Sequence, residues 1–235
     1  LTVDSFNFDT LAGGVLNGFA QQEQETNALA AFGSIDYAFS DRLSGRIGLR
    51  ISSDDKDFVA QRTLSPVGAG PTPLLRANPD DTEYSWDASL TYAATEDVNF
   101  YGRVARGFRA PSVQGRLLFG DSVSVADTET LLSWELGVKS MLLDERLRAN
   151  ASLFTYEIDD QQLTAVGGQA NFNRLVNADS TTGRGFEVDL EAFVSDRLTL
   201  TAAASYNDTE IDDPNLAIQP CGAGCTVLDP PGSRP

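Results

Sequence analysis

Histidine is absent from the 235 residues of this chain, and cysteine and methionine are scarce, at two and one. Without histidine the chain lacks the side chain that most often serves as general base or metal ligand, and no Ser-His-Asp or Cys-His arrangement can be assembled from it. No stretch approaches the roughly eighteen consecutive apolar residues of a membrane helix, which excludes a helical membrane protein. Basic residues are also few: 17 Lys and Arg stand against 34 Asp and Glu, a formal net charge of -17. So acidic a chain is repelled by phosphate backbones, which excludes nucleic acid as a partner. The opening Leu1–Phe6 has neither the basic nor the apolar region of a signal peptide. The closing Pro230–Pro235 reads as loop. An internal piece of a longer protein is the expectation.

What is present is strict alternation. A strand sends successive side chains to opposite faces, so a strand with one apolar face reads apolar, polar, apolar. From Leu43 to Ile51 the odd positions are apolar or glycine, while Ser44, Arg46 and Arg50 fall between them. Tyr84, Trp86, Ala88, Leu90 and Tyr92 alternate with Ser85, Asp87, Ser89 and Thr91. The pattern returns at Leu132–Val138, at Phe186–Val194 and at Leu198–Tyr206. It predicts strands near 2–9, 26–40, 43–54, 82–95, 98–108, 130–142, 146–158, 182–194 and 197–211. Most exceed the usual five or six residues of a soluble strand and match what a tilted membrane strand requires.

Short turns recur at Ser40-Asp41-Arg42-Leu43, Glu96-Asp97-Val98, Leu143-Asp144-Glu145-Arg146-Leu147 and Ser195-Asp196-Arg197-Leu198. Between them lie long connections near 55–81, 109–129, 159–181 and 212–235, rich in Gly, Pro, Asp and Asn. Short turns at one end and long loops at the other is the asymmetry of an outer-membrane barrel. A soluble propeller also repeats near this period, but its blades hold four short strands where each period here holds two long ones. The fold class read from the sequence is therefore all-β: a partial antiparallel up-and-down transmembrane barrel, with short periplasmic turns and long outer loops. Phe39, Tyr84, Trp86, Phe108, Trp134 and Tyr206 suit interfacial aromatic girdles, or ordinary strand packing.

Tyr101-Gly102-Arg103-Val104-Ala105-Arg106-Gly107-Phe108-Arg109-Ala110-Pro111-Ser112 resembles a barrel signature of TonB-dependent receptors, in which a strand ends in Gly-Phe-Arg-Ala-Pro-Ser. Glu129, Ser133-Trp134-Glu135-Leu136-Gly137-Val138-Lys139, Asn150–Asp160 and Gly185–Leu190 follow in family order. The resemblance implies a barrel of about twenty-two strands around an N-terminal plug. It further implies a Gram-negative outer-membrane location and import of a scarce nutrient, foremost a ferric siderophore or similar iron complex. Energy then comes from the TonB inner-membrane complex acting through the plug. Residues 1–235 are expected to be part of that one barrel domain, with plug and closing strands outside this sequence. A passive porin or structural barrel is the alternative, and an enzyme lacks the nucleophile and base it needs.

Arg103, Arg106, Arg109, Glu135 and Lys139 are the candidate ligand- or plug-facing residues. Polar strand faces inside a barrel line the lumen. Arg109, just before the Pro111 that stops its ladder, is expected to pair with loop carboxylates, with a ligand- or plug-facing place at the mouth as the second reading. Haem is less expected than a chelate enclosing its own metal, since no histidine is present to bind haem iron. Cys221 and Cys225, separated by Gly-Ala-Gly, are expected to form a small disulfide ring; two thiolates cannot complete a zinc site. Asp54-Asp55-Lys56-Asp57 and Asp208–Asp213 read as solvated acidic loops, with calcium or lipopolysaccharide bridging as the alternative. No catalytic residue, resident metal or cofactor is expected.

Overall fold

The computed structural model describes residues 1–9, 13–167, 172–195, 197–214 and 216, which contain strand and no helix. In chain order the strands are β1 (Thr2–Asp9), β2 (Val15–Ala38), β3 (Leu43–Leu64), β4 (Leu75–Ala77), β5 (Asp80–Ala93), β6 (Val98–Arg109), β7 (Ser112–Gln114), β8 (Ser124–Ala126), β9 (Glu129–Leu142), β10 (Leu147–Gly167), β11 (Phe172–Ser195) and β12 (Leu198–Asp212). The nine long ones hydrogen-bond in the order β1-β2-β3-β5-β6-β9-β10-β11-β12. All neighbours are antiparallel, as an up-and-down meander requires. β4 adds to the outer edge of β3, and β7 pairs only with β8.

Two of the expected long loops are largely strand. β3 runs to Leu64 instead of ending near 54, and β2, its partner, starts at Val15 instead of 26. β10 continues to Gly167 and β11 begins at Phe172, so the expected connection at 159–181 is mostly hairpin. Asp54, Asp55, Lys56 and Asp57 accordingly sit in β3, not in a loop. The reason is an inversion of phase. In the lower part of β3 the odd residues Ile47, Leu49 and Ile51 are exposed and apolar, as lipid contact demands. Above Asp54 the odd residues become Asp55 and Asp57, while the even ones, Phe58 and Ala60, are buried. One continuous strand crosses from a lipid exterior to a watery one, so its apolar face changes side and alternation in a single phase stops short. At β2 the lower odd residues Leu29 and Ile35 are exposed, whereas Gly18 and Ala20 are buried above.

The register assigns every side chain to a wall face. The row Ile35, Ile47, Ala88, Val104, Trp134 shares the outer face. The row Asp36, Arg46, Ser89, Arg103, Glu135 shares the inner one. The ladder that begins at Leu43, the first residue of β3, passes through Tyr92, Phe100, Val138, Ala151 and Val188 to Ala204. Ala204 lies six residues above Leu198, the first residue of β12, so over six strand-to-strand steps the register climbs one residue per step on average. With about 3.3 Å of rise per residue and about 4.8 Å between strands, that shift tilts the strands by about 35°. Such a tilt belongs to a membrane barrel wall. Down the tilted strands, outward aromatics fall into two belts, Tyr37, Tyr92 and Phe100 below and Tyr84, Trp86, Trp134 and Tyr206 above, flanking the apolar band.

A membrane span needs about ten residues of a tilted strand. The 24 residues of β2 and 22 of β3 therefore project far beyond it. There, outside the membrane band, lies the buried cluster of Ala20, Phe58, Ala60, Leu117 and Leu118, covered by Leu75, Val113 and Phe119. The wall has no such core, because its outer side chains meet lipid. Leu136, 68 % exposed and facing outward in the middle of the band, makes this testable. Placing a cation there, Leu136→Arg, should cost about 2–4 kcal/mol of folding stability in a bilayer. Ser205→Arg, on the inner face opposite Glu187, should cost little. Urea titration of the full receptor in lipid vesicles measures both, and equal costs would contradict the face assignment.

Candidate functional site

The inner wall is charged and carries aromatic rings laid against glycine. Tyr101 stands opposite Gly137 across the β6–β9 ladder, and a Cβ on that glycine would lie 2.5 Å from the Tyr101 ring. Glycine there lets the ring lie flat on the wall, and its hydroxyl donates to the Glu135 carboxylate. The same cross-strand arrangement pairs Phe154 with Gly185 and Tyr156 with Gly183. Lys139 sits with its Nζ 5.3 Å from the Tyr101 ring centre, a cation on an aromatic face. Arg103 is directly opposite Glu135 in register. Among the described residues, however, Arg103, Arg109 and Arg50 make no ion pair, in contrast to Arg46, which reaches Asp36 at 3.6 Å.

Of the five candidates, then, Arg103, Arg109, Glu135 and Lys139 share the inner face, and Arg106 does not. Arg106 pairs in register with Trp86 and Leu132 on the outer face. It also marks a seam. The β5–β6 ladder runs up to Trp86 and Arg106; beyond that β5 stays with β3 and β6 with β9. Parting strands leave backbone groups without partners, which a low-dielectric setting penalises. The Arg106 guanidinium fills the gap: it donates to the Tyr84 carbonyl, lies 4.3 Å from the Tyr84 ring centre, and meets Glu83 at 2.8 Å. On the inner side of this seam a pocket of about 470 Å³ is lined by Arg50, Ser52, Asp54, Ser85, Gly107 and Ala110.

Above the pocket the segment between β6 and β9 folds inward. It packs on Phe58 and Ala60, whose side chains continue the inner face of β3. Arg62, 2 % exposed, engages all five of its guanidinium N–H groups, three of them on this segment and two on Gly70 in the connection after β3. Nη1 donates to the carbonyls of Leu117 at 2.9 Å and Gly120 at 2.8 Å; Nε and Nη2 donate to Gly70, and Nη2 also to the Asp121 carboxylate. Gln162 works similarly on the other flank. Its Nε2 donates to the carbonyls of Ala110 at 3.0 Å and Asp127 at 2.9 Å, and its Oε1 accepts from Ser112. Lys56 Nζ donates to the Pro111 carbonyl. Buried donors and acceptors satisfied this completely fix a segment in place.

Sequence reasoning missed Arg62, Gln162 and this docked segment. One signal was available: Leu117-Leu118-Phe119 is an apolar triplet in a stretch read as loop, and such a triplet has to be covered. Among the described residues no group of three or more His, Cys, Asp or Glu is placed to hold a metal ion. Cys221 and Cys225 lie outside the described residues.

β10 turns inward at Asp160, a non-glycine residue with φ of 55°, at the level where its pairing with β9 ends. Asn177 staples the bend, donating to the Asp160 carbonyl at 2.6 Å and to the Asp127 carbonyl at 3.0 Å. Burial, then the neighbouring charges of Asp159, Asp127 and Asp179, raise the Asp160 carboxyl above its ordinary 3.8. A carboxyl raised in the folded state favours folding when protonated, so its contribution is complete below 3.8 and lost as the pH climbs through the raised value. Hydrogen exchange should therefore show residues 160–165 better protected in mild acid than at neutral pH. Asp160→Asn, neutral and tolerant of left-handed backbone, should bring that protection to neutral pH; an unchanged pH profile in this variant would contradict the account.

At the docked segment the test is steric. A Cβ on Gly115 would sit 2.3 Å from Phe58 Cζ. Gly115→Val should release residues 112–123 into fast exchange while 43–51 of β3 stay protected, and unchanged protection would show that the segment is not seated on Phe58.

Residues 2–220 match the family described as TonB dependent receptor-like, beta-barrel. Among solved structures, the chain resembles the ferric yersiniabactin uptake receptor FyuA from Yersinia pestis, with a TM-score of 0.75 at 18 % identity, covering 90 % of this chain and 30 % of that one. It resembles the closed form of the ferric-catecholate import receptor Fiu from K12 E. coli, with a TM-score of 0.60 at 16 % identity, covering 85 % and 30 %. It also resembles the copper transporter OprC, with a TM-score of 0.63 at 14 % identity, covering 88 % and 33 %. The chain thus spans about a third of the length of these proteins. At such identities they establish the fold, and the match over residues 2–220 establishes the family: the chain belongs to the β-barrel of the TonB-dependent receptors of the Gram-negative outer membrane.

Proposed function

We propose that the protein of which this chain is part imports a scarce nutrient across the outer membrane, a ferric siderophore or similar iron complex first of all, with energy from the TonB complex. The observation that carries this reading is the inner face. Arg50, Arg103 and Arg109 point into the lumen and, among the described residues, have no ion pair, beneath a mouth narrowed by a pinned segment. Arginines held on a wall without an ion pair suit a charged partner inside the barrel better than an open water channel. In this reading Arg103, Glu135 and Lys139 face a plug domain, through which the TonB complex acts, and Arg109 stands at the entrance. Arg106, on the outer face, serves the wall. Lipopolysaccharide would border the outward Arg184–Asp208 pair, which meets at 3.5 Å above the upper aromatic belt.

FyuA and Fiu are named for ferric ligands and OprC for copper; iron complexes are the reading preferred here. A passive porin is the alternative. Growth of a deletion strain and its complemented parent on defined iron sources, cobalamin and glycans separates them, with and without a functional TonB complex. Active import of iron predicts a growth defect on a particular iron source that complementation repairs only when TonB is present. Repair without TonB would favour the porin, and a defect confined to cobalamin or glycans would replace the iron ligand.

A further inference from the structure

The seam between β5 and β6 is a bounded slot in the wall. Below it the two strands are laddered from Ala93 and Asn99 up to Trp86 and Arg106. Above it Thr128, just ahead of β9, donates to the Asp81 carboxylate near the top of β5. Between these closures Arg106 spans the two strands, its guanidinium crossing from the outer face to Glu83 on the inner one at 2.8 Å. Trp86 lies seven residues above Ala93, the lower end of β5. At about 3.3 Å of rise per residue and a tilt of about 35°, the slot begins about 19 Å above the short turns, in the upper part of an apolar band about 25 Å tall.

The outer rim of the slot is aromatic, with Tyr84 and Trp86 on β5 and Phe108 on β6. Its inner side opens on the pocket of about 470 Å³, which combines polar Ser52, Asp54 and Ser85 with apolar Ala28 and Ala30. Gly107 stands at the inner lip, where a Cβ would meet nothing within 4 Å. Between laddered strands, an opening toward lipid breaks backbone hydrogen bonds and leaves N–H and C=O groups bare in the bilayer. At the seam it displaces one guanidinium from Glu83 and the Tyr84 carbonyl. A polar cavity behind an aromatic-rimmed slot, at the depth of the outer leaflet, fits a molecule that is polar at one end and alkyl at the other.

We propose that the seam is a lateral port for an amphiphilic ligand, whose polar head occupies the inner pocket while a single long alkyl chain leaves between Tyr84 and Phe108 into the outer leaflet. The inference rests on the import reading and names the ligand's class: a chelate carrying a fatty chain. The chain stays in apolar surroundings throughout, so the ligand is taken from the membrane without wetting it.

Two measurements on the full receptor in phospholipid vesicles test the port. In the first, Ser85→Cys, with Cys221→Ser and Cys225→Ser, carries a disulfide-linked dodecyl chain with a nitroxide at its far end, attached before reconstitution. The nitroxide should collide with oxygen, as in lipid, and should lose that accessibility when Gly107→Phe fills the inner lip. Absence of oxygen collisions in the first protein, or equal oxygen accessibility in the two, overturns the proposal. The second compares binding of a ferric tris-hydroxamate and a ferric tris-catecholate, each with and without one dodecyl chain, to wild type, Gly107→Ala and Gly107→Phe. Blocking the seam forces the chain out of the bilayer on binding, at a cost for every methylene. The affinity ratio of dodecyl to plain chelate should therefore fall about tenfold or more in Gly107→Phe and hold in Gly107→Ala. The same ratio in all three proteins overturns the proposal. Failure of both chelates to bind in either form removes the iron-complex reading, while the tethered chain still decides the seam.

Discussion

Everything in this wall follows from the rule that backbone N–H and C=O groups cannot be left unpaired in lipid. Nine strands meet it by pairing each with the next, and the mean one-residue climb of the ladder per strand gives the tilt. At the parting of β5 and β6 a side chain bridges the two strands: Arg106 donates to the Tyr84 carbonyl, beyond the last β5–β6 pair. The family signature around Gly107-Phe108-Arg109 thus sits at a seam in the ladder, where a strand end, an inner pocket and the start of the inward fold coincide.

The second constraint is the change of solvent along a single strand. In the band, apolar side chains face out and polar ones in; beyond it, the outside is water and the inside is packed protein. β3 obeys both in turn, with Ile47, Leu49 and Ile51 exposed below and Phe58, Ala60 and Arg62 buried above. The extensions of β2 and β3 give the docked segment something to pack on. Without the buried face that begins at Phe58, Leu117 and Leu118 would have no cover, and the carbonyls that Arg62 binds would need water instead.

Those two constraints explain how much was legible in advance. Strand identity, the antiparallel meander and the short turns were readable, because lipid on one side and polar lumen on the other impose a clean period of two on Leu43–Ile51 and Tyr84–Tyr92. The upper halves of β2, β3, β10 and β11 were not, because the phase inverts and charged residues such as Asp55 and Asp57 resemble loop. Arg103, Glu135 and Lys139 are legible as inner-face residues from parity, and Arg109 from its place at the strand end before Pro111. Arg106 was included by its presence in the signature, although it shares parity with Val104 and Phe108, and the register puts it outside. Arg62 carried no local signal: its five donors find partners up to 59 residues away, and no spacing rule reports that.

The most direct test of the two-solvent account is a nitroxide scan of β3, one spin label at a time from 45 to 62, in the full receptor in native outer membranes. Collision with oxygen reports lipid and collision with a nickel chelate reports water. The account predicts high oxygen accessibility at 45, 47, 49 and 51, high nickel accessibility at the outward 55 and 57, and neither at 58, 60 and 62. A pattern that keeps one phase along the whole strand, with 58 and 60 as open to water as 55 and 57, would contradict it.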